Sequence, residues 1–413
     1  MKRQARDELV KRSGTLARVA RGNLCSGCGG CAAVAPSKIT MAVQDPGFLR
    51  PQISEPLSAR EEETVALICP GIGQTVDAEN RVDDVIWGPY LKMRTGHAVD
   101  QDLRFAASSG GALSAVLVHL LDSGQVDHVI QIGPSNELPT ANVTILSDTG
   151  SDVLAAAGSR YAPSTPLAEL DRHLATGKTF AFVGKPCDIV ALRALARVDP
   201  RIDAQIPFMV SFFCAGVPSL LGSEKVLEAL GTNPDNVRAF RYRGNGWPGR
   251  ATATLRDGNT RSMSYHDSWG GVLSSHVQHR CKICADGTGV AADLVCADAW
   301  SCDAQGYPLF EEQDGISLIV TRTERGENLL QDAVSDDALA VSSFDRNQLE
   351  NMQPGQTNRR RALLARLAAL WILGKPIPRY RGLHLMAMSR QNTVTRNLRN
   401  FLGMLRRSLG GRI

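Results

Sequence analysis

The 413-residue chain has neither a long apolar segment nor a secretory signal. No stretch reaches the roughly 18 uninterrupted apolar residues that indicate a transmembrane helix, and the basic start MKRQARDELVKRSG has no apolar run behind it. These absences predict a cytoplasmic protein. In that reducing compartment its ten cysteines favour metal or redox chemistry over disulfides.

The familiar nucleotide-binding motifs are also missing. GNGWPG at 244–249 has the letters of G-x-G-x-x-G, but it contains Trp247-Pro248 and precedes a hairpin pattern instead of opening a helix. TGKT at 176–179 lacks the earlier glycine of a phosphate loop, because position 172 is arginine. Neither segment is predicted to bind a nucleotide as these motifs do.

Acidic residues are absent from the C-terminal part. From 351 to 413 there are thirteen Lys or Arg and no Asp or Glu, and since the whole chain carries +4, residues 1–350 carry −9. One predicted helical face over 394–409 holds Val394, Leu398, Phe401, Leu402, Leu405 and Leu409. We expect this basic helix to pack on the acidic body. Contact with an anionic membrane surface or an acidic partner is the alternative, and no aromatic interleaving indicates nucleic-acid binding.

The first cysteine motif is one ligand short. CSGCGGCAAVAP at 25–36 has the C-x2-C-x2-C spacing of a ferredoxin, but Ala35 stands before Pro36 where the fourth cysteine belongs. Cys69, directly before Pro70, is the remote replacement. The sequence therefore predicts a 4Fe-4S cluster on Cys25, Cys28, Cys31 and Cys69. A four-cysteine zinc site is the alternative.

A second cysteine set is less certain from spacing alone. Cys281 and Cys284 form a C-x2-C pair, Cys187 follows one predicted strand and Cys214 ends another. Cys187 and Cys214 would meet at one edge of a parallel sheet, so four thiolates could converge; isolated buried thiols are the alternative. Cys296 and Cys302 are expected to be structural.

The remaining pattern predicts a mixed α/β (α+β) fold in three parts: residues 1–85, loop-rich and cluster-binding; residues 86–345, with alternating strands and helices; and a basic helical tail, residues 346–413. Strands are expected from 126, over 179–184 and over 207–216, helices from 112 and over 188–198, and a hairpin over 250–265. Residues 353–356 have the composition of a linker.

One glycine-rich segment is well placed to bind an anion. Ser108, Ser109, Gly110 and Gly111 lead directly into the helix predicted from 112. Free backbone N–H groups at a helix start can bind a phosphate or pyrophosphate. Serine capping, with glycines for close packing, explains the same letters equally well.

Ten segments in a fixed order resemble the beta subunits of coenzyme F420 hydrogenases and dehydrogenases, whose relatives include ferredoxin-dependent chlorophyll-pathway reductases. They span roughly residues 20–320: DPGFLRP, CPG, GPY, ASSGG, GSRYAPS, GKPCDI, FFCAGVPS, YRGNGWPG, RCKICAD and AADLVCADAW. The last segment departs from the family pattern, because Val295 stands where relatives have serine and Ala297 stands where they have glycine. Asp293 and Asp298 persist there and are expected to cap turns; contacts with the substrate or a flavin are the alternative.

The resemblance implies an iron-sulfur flavoprotein: a ferredoxin-like N-terminal module, a second 4Fe-4S cluster on Cys187, Cys214, Cys281 and Cys284, and flavin adenine dinucleotide (FAD) in the α/β domain. The residues that it places at the flavin or the substrate cleft are Ser108, Ser109, Gly110, Gly111, Gly158, Ser159, Arg160, Tyr161, Gly246 and Trp247. His97, His266, His276 and His279 are proton-donor candidates by residue type only, so no catalytic residue is assigned.

The expected function is an oxidoreductase that passes electrons from ferredoxin, or a similar one-electron donor, through two clusters to FAD and on to an unidentified small-molecule substrate by hydride transfer. Two alternatives stay open: an electron-transfer subunit of a larger complex, and a zinc-stabilised, non-catalytic scaffold associated with polysaccharide biosynthesis. The sequence leaves a homo-oligomer open as well.

Overall fold

A computed structural model describes residues 11–300, 309 and 311–411. Its α-helices are α1 (Gly14–Arg21), α2 (Gly30–Val34), α3 (Ala59–Ile68), α4 (Gln101–Ala106), α5 (Ala112–Asp122), α6 (Gly150–Ala156), α7 (Leu170–Leu174), α8 (Pro186–Ala196), α9 (Pro200–Gln205), α10 (Leu220–Ala229), α11 (His279–Lys282), α12 (Glu324–Ser335), α13 (Leu349–Met352), α14 (Pro354–Ile372), α15 (Leu385–Arg390) and α16 (Val394–Leu409). Short 3-10 turns at Pro234–Asn236, Leu273–His276 and Arg346–Gln348 and a π-helix at His266–Val272 connect them.

The strands are β1 (Ile39–Gln44), β2 (Phe48–Ile53), β3 (Gly73–Thr75), β4 (Val82–Asp84), β5 (Gly88–Tyr90), β6 (Lys92–Ala98), β7 (His128–Pro134), β8 (Asn142–Ser147), β9 (Phe180–Val183), β10 (Phe208–Phe212), β11 (Val237–Arg241), β12 (Arg250–Leu255), β13 (Thr260–Ser264), β14 (Leu294–Asp298), β15 (Ser317–Thr321), β16 (Leu339–Ser343) and β17 (Arg379–Arg381).

Eight strands form the main sheet, in the order β16-β6-β15-β14-β10-β9-β7-β8. The inner strands β14, β10, β9 and β7 run parallel. Antiparallel strands complete both sides, with β15, β6 and β16 beyond β14 and β8 beyond β7. The chain is therefore a mixed α/β protein, as its alternating sequence pattern predicts.

Helices cover both faces of this sheet because alternate strand residues are apolar on each side. On one face, Phe180, Phe182 and Met209 pack with residues of α8 and α9. On the other, Ala181 and Val210 pack with α5 and α12. The inner strands are thus buried between two apolar layers, and they position the loops at the strand ends.

Outside the main sheet, α1, α2, α3 and the β1-β2 hairpin form the N-terminal part. The basic tail shares a core with this part: Val19 and Leu24 pack together with Ile283, Leu363 and Met404. The tail is thus joined to both the N-terminal part and the segment that holds the second cysteine pair. The three expected domain boundaries and the ferredoxin-like character of the first part stay predictions.

Most of the expected secondary structure is confirmed. The helix from 112 is α5, the helix over 188–198 is α8, and the strands from 126, over 179–184 and over 207–216 are β7, β9 and β10. The hairpin over 250–265 is β12 and β13, which belong with β11 to a separate three-stranded sheet. Among the described residues, no helix combines the length and the hydropathy needed to cross a bilayer.

The linker expected at 353–356 is wrong. Pro354 begins α14, where its fixed φ suits the first turn of a helix and its missing N–H costs nothing. Gln353 donates to the carbonyl oxygen of Asp298 at 2.8 Å, and buried Gln356 donates to the carbonyl oxygen of Cys214 at 3.1 Å. Glutamine and glycine are common in linkers, but here the amides satisfy buried backbone carbonyls.

The basic tail packs on the body with one part of its apolar face only. Phe401, Met404 and Leu405 of α16 contact the shared core. Val394, Leu398, Leu402 and Leu409 remain exposed, with Val394 at 83% and Leu409 at 75%. Packing on the body is therefore observed, and an exposed apolar stripe remains beside it.

Candidate functional site

Two cysteines of the second set lie at the same edge of the main sheet. The parallel neighbours β9 and β10 end at Val183 and Phe212, and Cys187 and Cys214 follow them within a few residues. Cys187 stands in the first turn of α8, and the backbone N–H of Cys214 donates to the carbonyl oxygen of Gly287 at 2.8 Å. The sheet edge expected from the sequence is confirmed.

The other two cysteines of this set join them: Cys281 lies in α11, and Cys284 is the second residue after its end. Burial raises the pKa of Cys187, and the charge of Asp188 and then the neighbouring thiols raise it further. Burial, followed by the charge of Cys281, raises the pKa of Cys214 to about 12. Cys281 is the neighbour that acts on both, and Cys284 acts on Cys281. The structure thus brings the four predicted thiols of the second set together.

The first set is assembled by a tight loop and a helix end. Gly27 and Gly29 adopt positive φ between the three cysteines, and a Cβ on Gly29 would lie 2.6 Å from the backbone nitrogen of Ala168, so only glycine fits there. Cys69 caps the C-terminus of α3. Cys25, Cys28, Cys31 and Cys69 then lie within electrostatic reach of one another.

Ionisation is disfavoured for several of these partly buried thiols. Burial, then Coulombic effects that include neighbouring thiols, raises the pKa of Cys28 to about 12 and of Cys69 to about 11. Four thiolates side by side would repel one another, and a bound metal centre offsets that repulsion. The donor sets, four thiols each, fit iron-sulfur clusters in their chemistry.

The thiols of the two sets do not form a preassembled single-ion site. Among the described residues, no three His, Cys, Asp or Glu side chains are close enough to hold one metal ion. The ligand roles of the eight cysteines stay predictions.

The two cysteine sets are neighbours. Arg280, buried beside Cys281, donates through Nη2 to the carbonyl oxygen of Pro70, which follows Cys69, at 2.9 Å. Gln278 Nε2 donates both to the carbonyl oxygen of Ser26 and to Cys281 Sγ, each at 3.4 Å. The sidechain charge of Arg280 acts on thiols of both sets.

A cavity of about 300 Å³ lies at the carboxyl ends of the parallel strands, where α/β sheets commonly bind ligands. Seven of the ten sequence-predicted cofactor residues line it: Ser108, Ser109, Gly111, Gly158, Ser159, Arg160 and Tyr161. Cys214 also lines it, so the second cysteine set borders the cavity. Gly110, Gly246 and Trp247 lie outside its lining.

The first turn of α5 opens on this cavity. Gly111, with φ 75°, is the N-cap and supplies no side-chain hydrogen bond. Ser109 Oγ donates to the carbonyl oxygen of Ile316 at 2.9 Å, and Ser108 Oγ accepts from the backbone N–H of Ser159. Serine capping of this helix is therefore wrong, and its first N–H groups are available to an anionic ligand.

Other predicted residues have structural roles. A Cβ on Gly110 would lie 2.6 Å from the backbone nitrogen of Ser317, so this glycine permits close packing. The guanidinium of Arg160 donates to the carbonyl oxygens of Pro139 and Ala141, at 2.8 and 2.9 Å. Trp247 is buried behind the cavity wall against Trp300, with ring centroids 4.5 Å apart.

Sequence reasoning missed the central charged pair of the wall. Buried Arg243 makes a bidentate ion pair with Asp298, with N–O distances of 2.8 and 2.9 Å, and its guanidinium lies 4.5 Å from the ring centre of Tyr265. Asp298 ends β14 and pairs with this arginine, so its expected turn-capping role is wrong. Asp293 instead accepts from the backbone N–H of Met209 at 2.8 Å and pairs with Arg193.

A second buried pair, Lys185 and Asp188, was also missed. Lys185 Nζ lies 2.8 Å from Asp188 Oδ2 and donates to Ser164 Oγ at 2.7 Å. Both residues line the cavity, and Asp188 acts electrostatically on Cys28. The GKPCDI segment carried the signal, since a lysine and an aspartate flank the predicted cysteine ligand.

The remaining candidates are dispersed. His97, on β6, contacts the carbonyl oxygen of Ala98, and burial, followed by the charge of Lys375, lowers the pKa of His279 to about 3. His266 lines a second cavity. Cys296 is buried in β14 and lines the first cavity, and Cys302 lies outside the described residues.

Comparison with protein families gives two adjacent matches. The model for the coenzyme F420 hydrogenase/dehydrogenase beta subunit N-terminus matches residues 93–170, and the model for the C-terminus of the same subunit matches residues 177–347. The matched residues contain the cavity segments and the second cysteine set. The first cysteine set and the basic tail lie outside them.

Individual relatives belong to the same kind of subunit as the family models. The coenzyme F420 hydrogenase subunit beta of Methanothermobacter thermautotrophicus is 24% identical over 281 residues, covering 66% of this chain and 89% of that protein. The subunit of the same name from Methanococcus voltae is 27% identical over 270 residues, covering 63% and 86%. A chain of the F420-reducing [NiFe] hydrogenase complex from Methanosarcina barkeri has a similar fold, with a TM-score of 0.51 at 20% identity over 68% of this chain and 96% of that chain.

Proposed function

The chain belongs to the coenzyme F420 hydrogenase/dehydrogenase beta-subunit family, and from this premise we propose that it is an iron-sulfur flavoprotein oxidoreductase. It takes electrons from ferredoxin or a similar one-electron donor and delivers them as hydride to a small-molecule substrate. Cys25, Cys28, Cys31 and Cys69 hold one 4Fe-4S cluster; Cys187, Cys214, Cys281 and Cys284 hold a second. FAD occupies the cavity at the sheet edge.

One spatial relationship carries this proposal. The first cysteine set adjoins the second, and Cys214 of the second set lines the cavity. Electrons entering at the first set would therefore have a short path to the cavity. When bound, the clusters would carry single electrons, and the flavin would combine two of them with one proton from solvent for transfer as hydride.

The cavity residues have the chemistry that FAD requires. Gly111 and the start of α5 present N–H groups to a pyrophosphate, and Gly158 lines the same cavity. Lys185 and Arg243 add two buried positive charges to the wall. Tyr265 and Trp300, stacked with ring centroids 5.9 Å apart, supply an apolar surface and exclude water.

An electron-transfer role within a larger complex is the second candidate. The relatives are hydrogenase subunits by name, and the structural relative comes from a hydrogenase complex. Partner subunits would then supply or receive the electrons. Substrate turnover by the isolated chain would exclude this role. Cytoplasmic location, self-association and membrane contact stay predictions.

Cofactor analysis tests the proposal directly. The protein is purified without oxygen, and iron, acid-labile sulfide, zinc and released flavin are quantified per chain. We expect about eight irons, about eight sulfides and one FAD. About four irons would remove one cluster from the proposal. Zinc without flavin would overturn it and support the scaffold alternative.

A further inference from the structure

A second cavity, of about 760 Å³, adjoins the first. The two share one wall, made of Ala215, Tyr265, Trp269, Trp300, Gln353 and Gln356. Three of these residues are aromatic. A ligand in the second cavity would therefore extend to the same aromatic residues that border the proposed flavin site.

The second cavity is lined by cations. Lys282, Arg359, Arg366, Arg396 and Arg399 all border it. No Asp or Glu among the described residues lines this cavity, and none of the five cations makes an ion pair with a carboxylate of the described chain. The first cavity differs in this respect, because its cations Lys185 and Arg243 each form an ion pair with a carboxylate.

These cations lie close enough to repel one another, and Cys281 of the second cysteine set lines the same cavity. Burial lowers the pKa of Arg366, and the charges of Arg407 and Arg359 lower it further. Its guanidinium is held in place by Asn400 Oδ1 at 3.1 Å and by the carbonyl oxygen of Lys282 at 2.9 Å. Positively charged groups that are positioned by neutral acceptors leave their attraction available for a ligand.

Four of the five cations come from the tail helices. Arg359 and Arg366 lie on α14, and Arg396 and Arg399 lie on α16. All four lie after residue 347, where the family match ends. Most of the cationic lining thus comes from residues outside the family match.

We propose that the second cavity binds the anionic groups, phosphates or carboxylates, of the molecule that exchanges hydride at the first cavity. The substrate would then be a small polyanion whose reactive end reaches Tyr265, Trp269 or Trp300. An open cleft of this volume suits a small molecule. This assignment rests on the proposed function, because it makes the second cavity part of the same site.

Binding of inorganic tripolyphosphate to the cofactor-loaded protein tests the proposal. Calorimetry is performed at constant ionic strength, with chloride as the balancing anion. The test variant is R396A/R399A, whose side chains are exposed, so that folding is preserved. The control is R379A/R381A, which removes two exposed tail charges that line neither cavity.

We expect the wild-type protein and the control to bind one tripolyphosphate with the same affinity, and R396A/R399A to bind at least about tenfold more weakly. Absence of binding, or equal weakening in both variants, would overturn the proposal. Iron, sulfide and flavin are measured on the same samples. Full cofactor content without tripolyphosphate binding rejects only the anion site, whereas binding without cofactors rejects the redox function and the substrate role together.

Discussion

Arg280 Nη2 donates to the carbonyl oxygen of Pro70 at 2.9 Å, and this hydrogen bond joins the two cysteine sets. Arg280 precedes Cys281, and Pro70 follows Cys69. The side chain is buried, and its Nε and Nη1 atoms have no hydrogen-bond partner in the described chain. A guanidinium with unused donors between two groups of thiols is suited to stabilise negative charge on both.

Replacing Arg280 by glutamine is expected to make both cluster midpoint potentials more negative, by on the order of 50–100 mV. The reduced cluster carries one more negative charge, so loss of a nearby cation destabilises it. EPR-monitored redox titration measures both potentials. Arg280→Lys, which keeps the charge, should stay close to wild type; unchanged potentials in Arg280→Gln would contradict the placement.

Single ligand removal should separate the two clusters. Cys28→Ser and Cys187→Ser are each expected to lower iron and sulfide from about eight to about four per chain, because each set loses one thiolate. Cys296→Ala serves as the control, since this cysteine is buried in β14 and belongs to neither set. Equal iron loss in the control, or no loss in either ligand variant, would reject the assignment.

The Arg243–Asp298 pair is expected to stabilise the cavity wall. Asp298→Asn should lower the free energy of unfolding by about 3 kcal/mol and release flavin, because the buried guanidinium loses its counter-charge. The double variant Arg243→Met, Asp298→Asn should be less destabilised than Asp298→Asn. Thermal unfolding and flavin content measure both effects. Additive losses in the double variant would show that the two side chains act independently.

Low pH should remove the contribution of the Glu327 carboxylate to the free energy of unfolding. The hydrogen bond from Arg94, the largest cause, holds the pKa of this carboxyl well below its usual range, and bonds from Thr321 and Gln331 add to the effect. The stabilisation is therefore present above the unfolded-state pKa, about 4.3, and is lost as the pH falls toward the depressed folded-state value.

Glu327→Gln should accordingly cost about 2 kcal/mol at pH 7, and the difference from wild type should shrink as the pH falls below about 4. Unfolding midpoints measured at several pH values test this. The exposed Glu324→Gln, on the same helix α12, is the matched control and should show little difference at any pH. A constant difference across the pH range would contradict the ion pair.

The exposed stripe of α16 predicts binding to anionic vesicles. Val394, Leu398, Leu402 and Leu409 offer an apolar surface on a helix whose charged residues are all arginine. We expect co-sedimentation with phosphatidylglycerol vesicles and much weaker binding to phosphatidylcholine vesicles. Leu398→Asp with Leu402→Asp should reduce binding at least about tenfold. Equal binding of both lipids would exclude an electrostatic contact.

The sequence by itself determined the local structure and the identity of the thiol groups. Apolar runs bounded by glycine and proline predicted β7, β9 and β10, and the C-x2-C-x2-C spacing selected Cys25, Cys28 and Cys31, because these patterns depend on neighbours along the chain. The parallel-sheet argument also anticipated that Cys187 and Cys214 share an edge. Ten segments in order were enough to identify the family.

Only the tertiary structure decided how the distant parts meet. Arg243 and Asp298 are 55 residues apart, and Arg280 and Pro70 are 210 apart, so no local pattern could pair them. The cationic cavity needs Lys282 next to two tail helices, and Gln353 and Gln356 became part of both cavity walls instead of a linker. Such contacts form between residues that are far apart in the sequence. They depend on how several helices and strands pack together, so local sequence patterns do not reveal them.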